Sequence, residues 1–239
     1  MNSTIGIVSC GFDSGRQFVT DTYIKAIEEA GGIPVVIPCS GKANFPAYTG
    51  LCNGFLFCGG DDISPLLFGE ELLTSHGRTD WSTDWFHLRF IRHVLASKLR
   101  VLGICRGMQV LNLALGGSIC QDLSLRHAPT LQHMQTSLDR SDPCHKIIIS
   151  KNSILYNIFG ESHEVNSFHH QCLQKISPEL KITAAASDGV IEAVESTVHP
   201  FAVGVQWHPE CMRGKEKEAE HLFRLFVQRS EKAKDLTLI

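Results

Sequence analysis

Cys105 stands between Gly103 and Gly107 in the run VLGICRGMQVLNLALGG (101–117), and His208 and Glu210 close the run FAVGVQWHPE (201–210). A thiol becomes a strong nucleophile once ionised, and the Gly-x-Cys-x-Gly spacing can supply the setting for that. A strand that reverses sharply into a helix forces its corner residue into a strained conformation, and glycine neighbours, lacking Cβ, leave room for the turn. This is the geometry of a nucleophile elbow, which projects the central side chain above the edge of a sheet. The thiol of Cys105 would then sit at the N-terminus of a helix starting near Met108, where free N–H groups and the helix dipole favour thiolate. The same residues also fit an inert cysteine at the end of a buried strand, and the pattern alone does not choose.

A base would decide between them. His208 follows a strand-like run, Pro209 fixes a turn, and Glu210 lies two residues on, so both side chains point the same way if the strand period continues. A carboxylate bonded to one imidazole nitrogen fixes the tautomer and leaves the other nitrogen for a thiol. The alternatives are a Cys-His-Glu triad and a solvated surface ion pair.

Elements that could bring the two segments together are legible in the periodicity. Residues 5–10 (IGIVSC), 33–37 (IPVVI), 54–58 (GFLFC) and VLGIC read as strands. Between them Tyr23, Ile27 and Ala30, and then Phe86, Phe90, Val94 and Leu95, fall at helical spacing. Such β-α-β alternation predicts an open, mostly parallel central sheet with helices on both faces. The second half is less regular. HKIIIS (145–150), KITAAAS (181–187), IEAVES (191–196) and FAVGVQW (201–207) read as strands, some of them pairing antiparallel, and SILYNIF (153–159) reads as a short helix. Ala219, Leu222, Phe223 and Phe226 make one apolar face of a closing charged helix. The irregular stretches 61–83 and 121–144 could overhang a site at the carboxyl ends of the strands. No linker or repeat divides the chain, which predicts one α/β domain over residues 1–239.

Composition narrows the function classes. A formal charge of −3 with scattered basic residues gives no field for nucleic acid or acidic membranes. No apolar window is long enough for a membrane span, and the start MNSTIGIVSCGF does not read as a signal peptide, so a cytoplasmic location is expected. Nine cysteines without a signal peptide predict reduced thiols. Cys10, Cys39, Cys52, Cys58, Cys120, Cys144, Cys172 and Cys211 show no zinc-type spacing, and most are expected to fill the core.

Five ordered segments carry a resemblance: FCGGDDISP (57–65), LGICRGMQVLNLALGGSICQDL (102–123), EVNSFHHQ (164–171), SDGVIEAVE (187–195) and FAVGVQWHPE (201–210). Together they resemble the class I glutamine amidotransferase superfamily, and within it the γ-glutamyl-γ-aminobutyrate hydrolase (peptidase C26) branch, over about residues 5 to 226. The resemblance implies Cys105 as nucleophile, His208 as acid/base and Glu210 as its orienter. It implies an oxyanion hole from the backbone N–H groups of Gly60 and Arg106. Gln109, Asn166, Ser167, Phe168 and His169 would hold the glutamyl head. A glycine pair after a strand and an amide at a helix start suit an oxyanion hole on physical grounds as well. The implied partner is a small γ-glutamyl molecule, with no cofactor and no metal; a homodimer is an open assembly state. His169-His170 could ligate a metal, but no matched set of carboxylates or cysteines accompanies them in sequence, so orienting or packing roles are expected. The chain departs from the resemblance in one place: where such proteins commonly carry an Arg-Asp pair followed by Glu, it reads Thr83-Asp84-Trp85-Phe86-His87, which bears on the leaving amine rather than on the triad.

Overall fold

In the computed structural model of the protein, residues 3–75 and 77–235 are described. Thirteen strands appear in chain order: β1 (Thr4–Val8), β2 (Gly11–Asp13), β3 (Arg16–Phe18), β4 (Ile33–Ile37), β5 (Gly54–Phe57), β6 (Arg100–Ile104), β7 (Ile119–Cys120), β8 (His145–Ile149), β9 (Ser162–Val165), β10 (Cys172–Leu173), β11 (Leu180–Ala186), β12 (Ile191–Ser196) and β13 (Ala202–Val205). The helices are α1 (Asp21–Glu29), α2 (Phe45–Leu51), α3 (Trp81–Ala96), α4 (Arg106–Ala114), α5 (Tyr156–Phe159), α6 (Pro209–Met212) and α7 (Lys217–Asp235).

Nine strands form one sheet in the order β4-β1-β5-β6-β13-β12-β11-β8-β9. The four pairings from β4 to β13 are parallel and the four from β13 to β9 are antiparallel. The expected α/β architecture is present, and its antiparallel share is half the pairings. The two halves meet at β13, whose carboxyl end leads into His208.

Side chains alternate across the sheet and build two cores. Ile5 and Ile7 of β1, with Leu102 and Ile104 of β6, face α1 and α7, where they meet Ile27, Leu222, Phe223 and Phe226. Val8, Phe55, Phe57 and Val101 face α3 and α4, where they meet Phe86, Phe90, Ile91 and Met108. This is the period of two on strands meeting the 3.6 period on helices. The Ala219-Leu222-Phe223-Phe226 face of α7 is buried as its spacing requires. Asp188-Gly189 turns β11 into β12, with Gly189 at φ +78°.

Several elements escape periodicity. β2 and β3 form a small hairpin of their own, β7 and β10 pair as a second two-stranded sheet, and β9 is the edge strand of the large sheet. Each is too short for an alternating pattern to stand out. The cysteines are free thiols, but Cys120, Cys144 and Cys211 are half-buried rather than core fillers.

The glycines around Cys105 are required by the crossing of β6, α4 and β5. A Cβ on Gly103 would lie 2.6 Å from the carbonyl carbon of Gly107, and a Cβ on Gly107 would overlap the carbonyl oxygen of Phe57. Both obstacles are backbone, which cannot swing aside. Gly107→Ala is therefore expected to lower stability by about 1–3 kcal/mol or more. Urea denaturation checks this: an unchanged midpoint would show that α4 does not cross β5 this closely.

Candidate active site

Cys105 lies between β6 and α4, with φ +52° and ψ −106°. A positive φ is strained for a residue with a Cβ and costs about 1–3 kcal/mol. The backbone is held there on both sides, since Cys105 N–H donates to Val205 O at 2.7 Å and Cys105 O accepts from the N–H of Met108 at 3.0 Å. The side chain stands at the start of α4, two residues earlier than the helix start expected from sequence.

His208 is brought to Cys105 by the adjacency of β13 and β6. A Cβ placed on Gly59 would lie 2.9 Å from His208 Cε1 and 3.6 Å from Cys105 Cβ, so ring and thiol flank one glycine at the end of β5. Glu210 Oε1 is 2.6 Å from His208 Nδ1. That pairing does not arise by continuation of the strand period. β13 ends at Val205, His208 caps the short helix α6, and Glu210 in its first turn folds back onto the ring. Asn166 fixes the histidine backbone: its Oδ1 accepts from His208 N–H at 2.8 Å and its Nδ2 donates to His208 O at 3.0 Å.

Burial opposes charge on the His208 ring, but Glu210 and then the Cys105 sulfur outweigh it and raise its pKa well above the ordinary 6.5. The residue pair is therefore arranged to hold a proton on the imidazole.

Two cavities adjoin at Cys105. The larger, about 360 Å³, is lined by Phe18, Thr20, Thr22, Tyr23, Arg140, His208, Glu210 and Cys211, among others. The smaller, about 160 Å³, is lined by Asp61, Asp62, Arg78, Arg106, Gln109, His169, His170 and Gln171, among others. Gly60, Cys105, Met134 and Phe168 border both. Gly59 N–H donates to the Tyr23 hydroxyl at 2.9 Å. Among the described residues, the backbone N–H groups of Gly60 and Arg106 donate to no protein acceptor. A Cβ on Gly60 would lie 2.6 Å from Cys10 O, which explains the glycine.

Known proteins share this arrangement of chain. The peptidase C26 family description matches residues 8–210. The chain belongs to the peptidase C26 family. It is 34% identical over 207 residues to Protein NtpR of Enterococcus hirae, covering 86% of this chain and 87% of that one. To the gamma-glutamyl-gamma-aminobutyrate hydrolase PuuD of Escherichia coli it is 30% identical over 241 residues, covering 95% and 92%. Its fold matches a Thermoplasma acidophilum protein provisionally assigned to GMP synthase, with TM-score 0.69 and 16% identity over 99% and 98% of the two chains. The fold is thus of the class I glutamine amidotransferase type, and the function is hydrolytic and associated with cysteine and histidine, as in the C26 family. No described helix is long and apolar enough to cross a membrane.

Within this C26 chain the remaining sequence-predicted residues fall in two groups. Gln109, Phe168 and His169 reach the smaller cavity, and Phe168 lies edge-on to His208 with ring centroids 6.0 Å apart. Gln109 Nε2 also donates to Gln171 O and Gln206 Oε1, both at 3.2 Å. Asn166 and Ser167 border neither cavity. The Asn166 amide is spent on the His208 backbone and on Arg140 O, and the Ser167 hydroxyl donates to His133 O at 2.9 Å. Their side chains sit beneath the pocket floor.

Several residues at the site carried no sequence signal. Tyr23 reads only as a helix-face residue, and Arg140, whose guanidinium stacks 3.8 Å over the Phe168 ring, lies in an aperiodic loop. Asp84 and His87, from the stretch that departs from the family pattern, both bind the Arg106 side chain from behind.

His87 also contacts a second thiol, with Cys39 Sγ 3.4 Å from His87 Nε2. His87 Nε2 lies 3.0 Å from Ser9 O, so it donates there, and Nδ1 accepts from Arg106. The ring has no lone pair left for a thiol proton. Burial, with Arg106 adding to it, holds the His87 pKa well below 6.5, and burial pushes the Cys39 thiol up to about 12. This Cys39–His87 pairing lies apart from the Cys105 pocket, whereas the cluster His133/His169/Glu192 touches its smaller cavity through His169.

The state of His208 is directly measurable. Its ring signals should titrate above 6.5 by NMR, and Glu210→Gln should lower that value. An unchanged titration would mean that another group holds the proton. Because the folded ring is the stronger base, the stability it contributes is fully present below the unfolded value of about 6.5 and fades as pH rises through the folded value.

Proposed function

We propose that the protein hydrolyses the γ-glutamyl amide bond of a small γ-glutamyl conjugate through a thioester on Cys105, releasing glutamate and an amine. The observation that carries this reading is the meeting at Gly59 of a strained thiol and a raised-pKa imidazole held by a carboxylate. The relative named as a gamma-glutamyl-gamma-aminobutyrate hydrolase supports the substrate class.

In this reading the Cys105 sulfur gives its proton to His208 and attacks the γ-carbonyl carbon. The oxygen that becomes an oxyanion is held by the free N–H groups of Gly60 and Arg106, each such donor being worth roughly 3–4 kcal/mol in the transition state. His208 then protonates the departing nitrogen as the C–N bond breaks. Water, deprotonated by the same ring, attacks the thioester, the C–S bond breaks, and glutamate leaves. Glu210 keeps its charge throughout and stabilises the imidazolium. No cofactor enters.

The cavities divide the substrate. The smaller one offers both acidic and basic groups beside Gln109, Phe168 and His169, as a glutamyl α-amino and α-carboxylate head requires. The larger one takes the amine, and Arg140 lines it. That charge favours an amine carrying its own carboxylate, as γ-aminobutyrate does, over a polyamine. Asn166 and Ser167 act as positioning residues from below.

Cys105→Ala should lower turnover of γ-glutamyl-γ-aminobutyrate at least ~10³-fold while leaving the fold intact, and near-wild-type turnover would refute the nucleophile. Glu210→Gln should retain weak activity, roughly 10²–10⁴-fold reduced, and should move the alkaline limb of the rate profile to lower pH, since the ring then loses its proton sooner. Arg140→Ala should raise KM for γ-glutamyl-γ-aminobutyrate while leaving that for γ-glutamylputrescine unchanged; an equal effect on both would place the amine elsewhere.

A further inference from the structure

A group of buried histidines lies at the pocket floor, and His169 is the member that borders the smaller cavity. His133 from the loop before β8, His145 at the start of β8, and His169 after β9 all turn toward Glu192 of β12. Glu192 is fully buried, and the side chains of His133, His145 and His169 are 0%, 5% and 2% exposed. His133 Nδ1 and His145 Nε2 each lie 3.4 Å from Glu192 Oε1, and His169 Nε2 lies 3.7 Å from it. One ligand atom from each of His133, His169 and Glu192 lies within 4.8 Å of the other two.

His133 and His169 are each held at the far ring nitrogen, leaving the near nitrogen facing Glu192. His169 Nδ1 is 2.9 Å from Gln171 O, a carbonyl that can only accept, so Nδ1 carries a hydrogen and Nε2 is the nitrogen turned toward Glu192. His133 Nε2 is 2.9 Å from Asp188 Oδ2, so that nitrogen donates, and Nδ1 faces Glu192 with the Ser167 hydroxyl 3.3 Å away. Both face a carboxylate whose two oxygens, like both ring nitrogens of His145 and Nε2 of His169, have no hydrogen-bond partner. Buried polar atoms left without hydrogen-bond partners are costly.

We propose that His133, His169, Glu192 and His145 form a structural site for a divalent transition cation, zinc above all. Imidazole and carboxylate ligands suit that ion. With bonds of about 2.0–2.2 Å, tetrahedral ligands stand roughly 3.3–3.5 Å apart, close to the separations from Glu192 Oε1. The outer contacts are those of a ligating histidine: Asp188 on the far nitrogen of His133 and a backbone carbonyl on that of His169. The carboxylate that His169-His170 lack in sequence is supplied by Glu192 from a different strand.

The ion would tie four chain segments together behind the pocket. His169 N–H already donates to His133 O at 2.9 Å, and Phe168, between Ser167 and His169, is the residue that borders both cavities. The site therefore braces the floor of the pocket, which it meets at His169.

The full chain carrying Cys105→Ala should be used, so that zinc cannot be captured by the thiol and imidazole of the pocket; the measurement then does not depend on the proposed hydrolysis. After chelator treatment, reloading with Zn²⁺ and dialysis, elemental analysis should find about one zinc per chain, and Tm should rise by roughly 5 °C. Co²⁺ in its place should give the visible absorption of a tetrahedral nitrogen/oxygen site. Glu192→Gln and His169→Ala should each lower zinc affinity more than about tenfold. Less than ~0.1 zinc per chain with no Tm shift and no cobalt bands would overturn the proposal, leaving the cluster a proton-sharing network. Undiminished zinc in both variants would overturn it equally. Should either variant fail to fold, the unaltered cluster still decides through its metal content and cobalt spectrum.

Discussion

The close crossing of α4 over β5 is the constraint from which the site follows. The helix packs so near the sheet that neither Gly103 nor Gly107 can carry a Cβ, and the carbonyl of Phe57 is the obstacle at Gly107. The chain must turn from β6 into α4 within one residue, and that residue, Cys105, takes φ +52°. The strain is borne by the two well-packed cores on either side of the sheet, of the kind whose apolar burial outweighs a few kcal/mol. Backbone amides at the start of α4 and at Gly60 are left without protein acceptors for the same reason: the chain is turning there rather than laddering.

Around that fixed point the sheet changes character. β6 and β13 are parallel and adjacent, so their carboxyl ends come to the same edge, and Cys105 and His208 meet although they are distant in sequence. β13 is also where antiparallel pairing begins, and the connection from β9 to β10 passes beneath His208. Asn166 on that connection uses both ends of its amide on the His208 backbone. The imidazole is thus located by its main chain from below and oriented by Glu210 from the side. Burying such a ring in a charged form is tolerable only with an anion in contact, and Glu210 at 2.6 Å is that anion.

Much of this was legible in the residues. The β-α-β alternation, the elbow and the amphipathic face of α7 follow from periodicity and from what glycine does physically, and the pairing of His208 with Glu210 from what an imidazole and a carboxylate do. What was not legible depended on contacts between distant segments. His208 and Glu210 were expected to align along a strand, whereas a helical turn brings them together. Asn166 and Ser167 were expected as substrate contacts from the family resemblance alone; the folded chain places their side chains against main chain. Short elements such as the β2–β3 hairpin and the β7–β10 pair have too few residues for a period to register. Glu192 reads as one polar residue in an apolar strand, and nothing in its own neighbourhood points to three histidines arriving from elsewhere.

The two Cys–His contacts described above show why distance is a weak criterion for chemistry. Cys39 and His87 are 3.4 Å apart. A donor bond to Ser9 O and an acceptor bond from Arg106 use both nitrogens of His87, and burial, with the same arginine adding to it, makes protonation unfavourable. The thiol beside it has nowhere to send its proton, and burial pushes it up to about 12. At His208 the conditions are reversed. One nitrogen is taken by a carboxylate, which makes the ring a better base, and the other side of the ring faces a thiol at a solvent-reaching cavity. Arg106 takes part in both arrangements. Its side chain, held by Asp84 and His87, puts a positive charge behind the elbow that disables the buried pair. Its backbone N–H, at the first turn of α4, points a free donor toward the pocket where the reacting oxygen is proposed to sit.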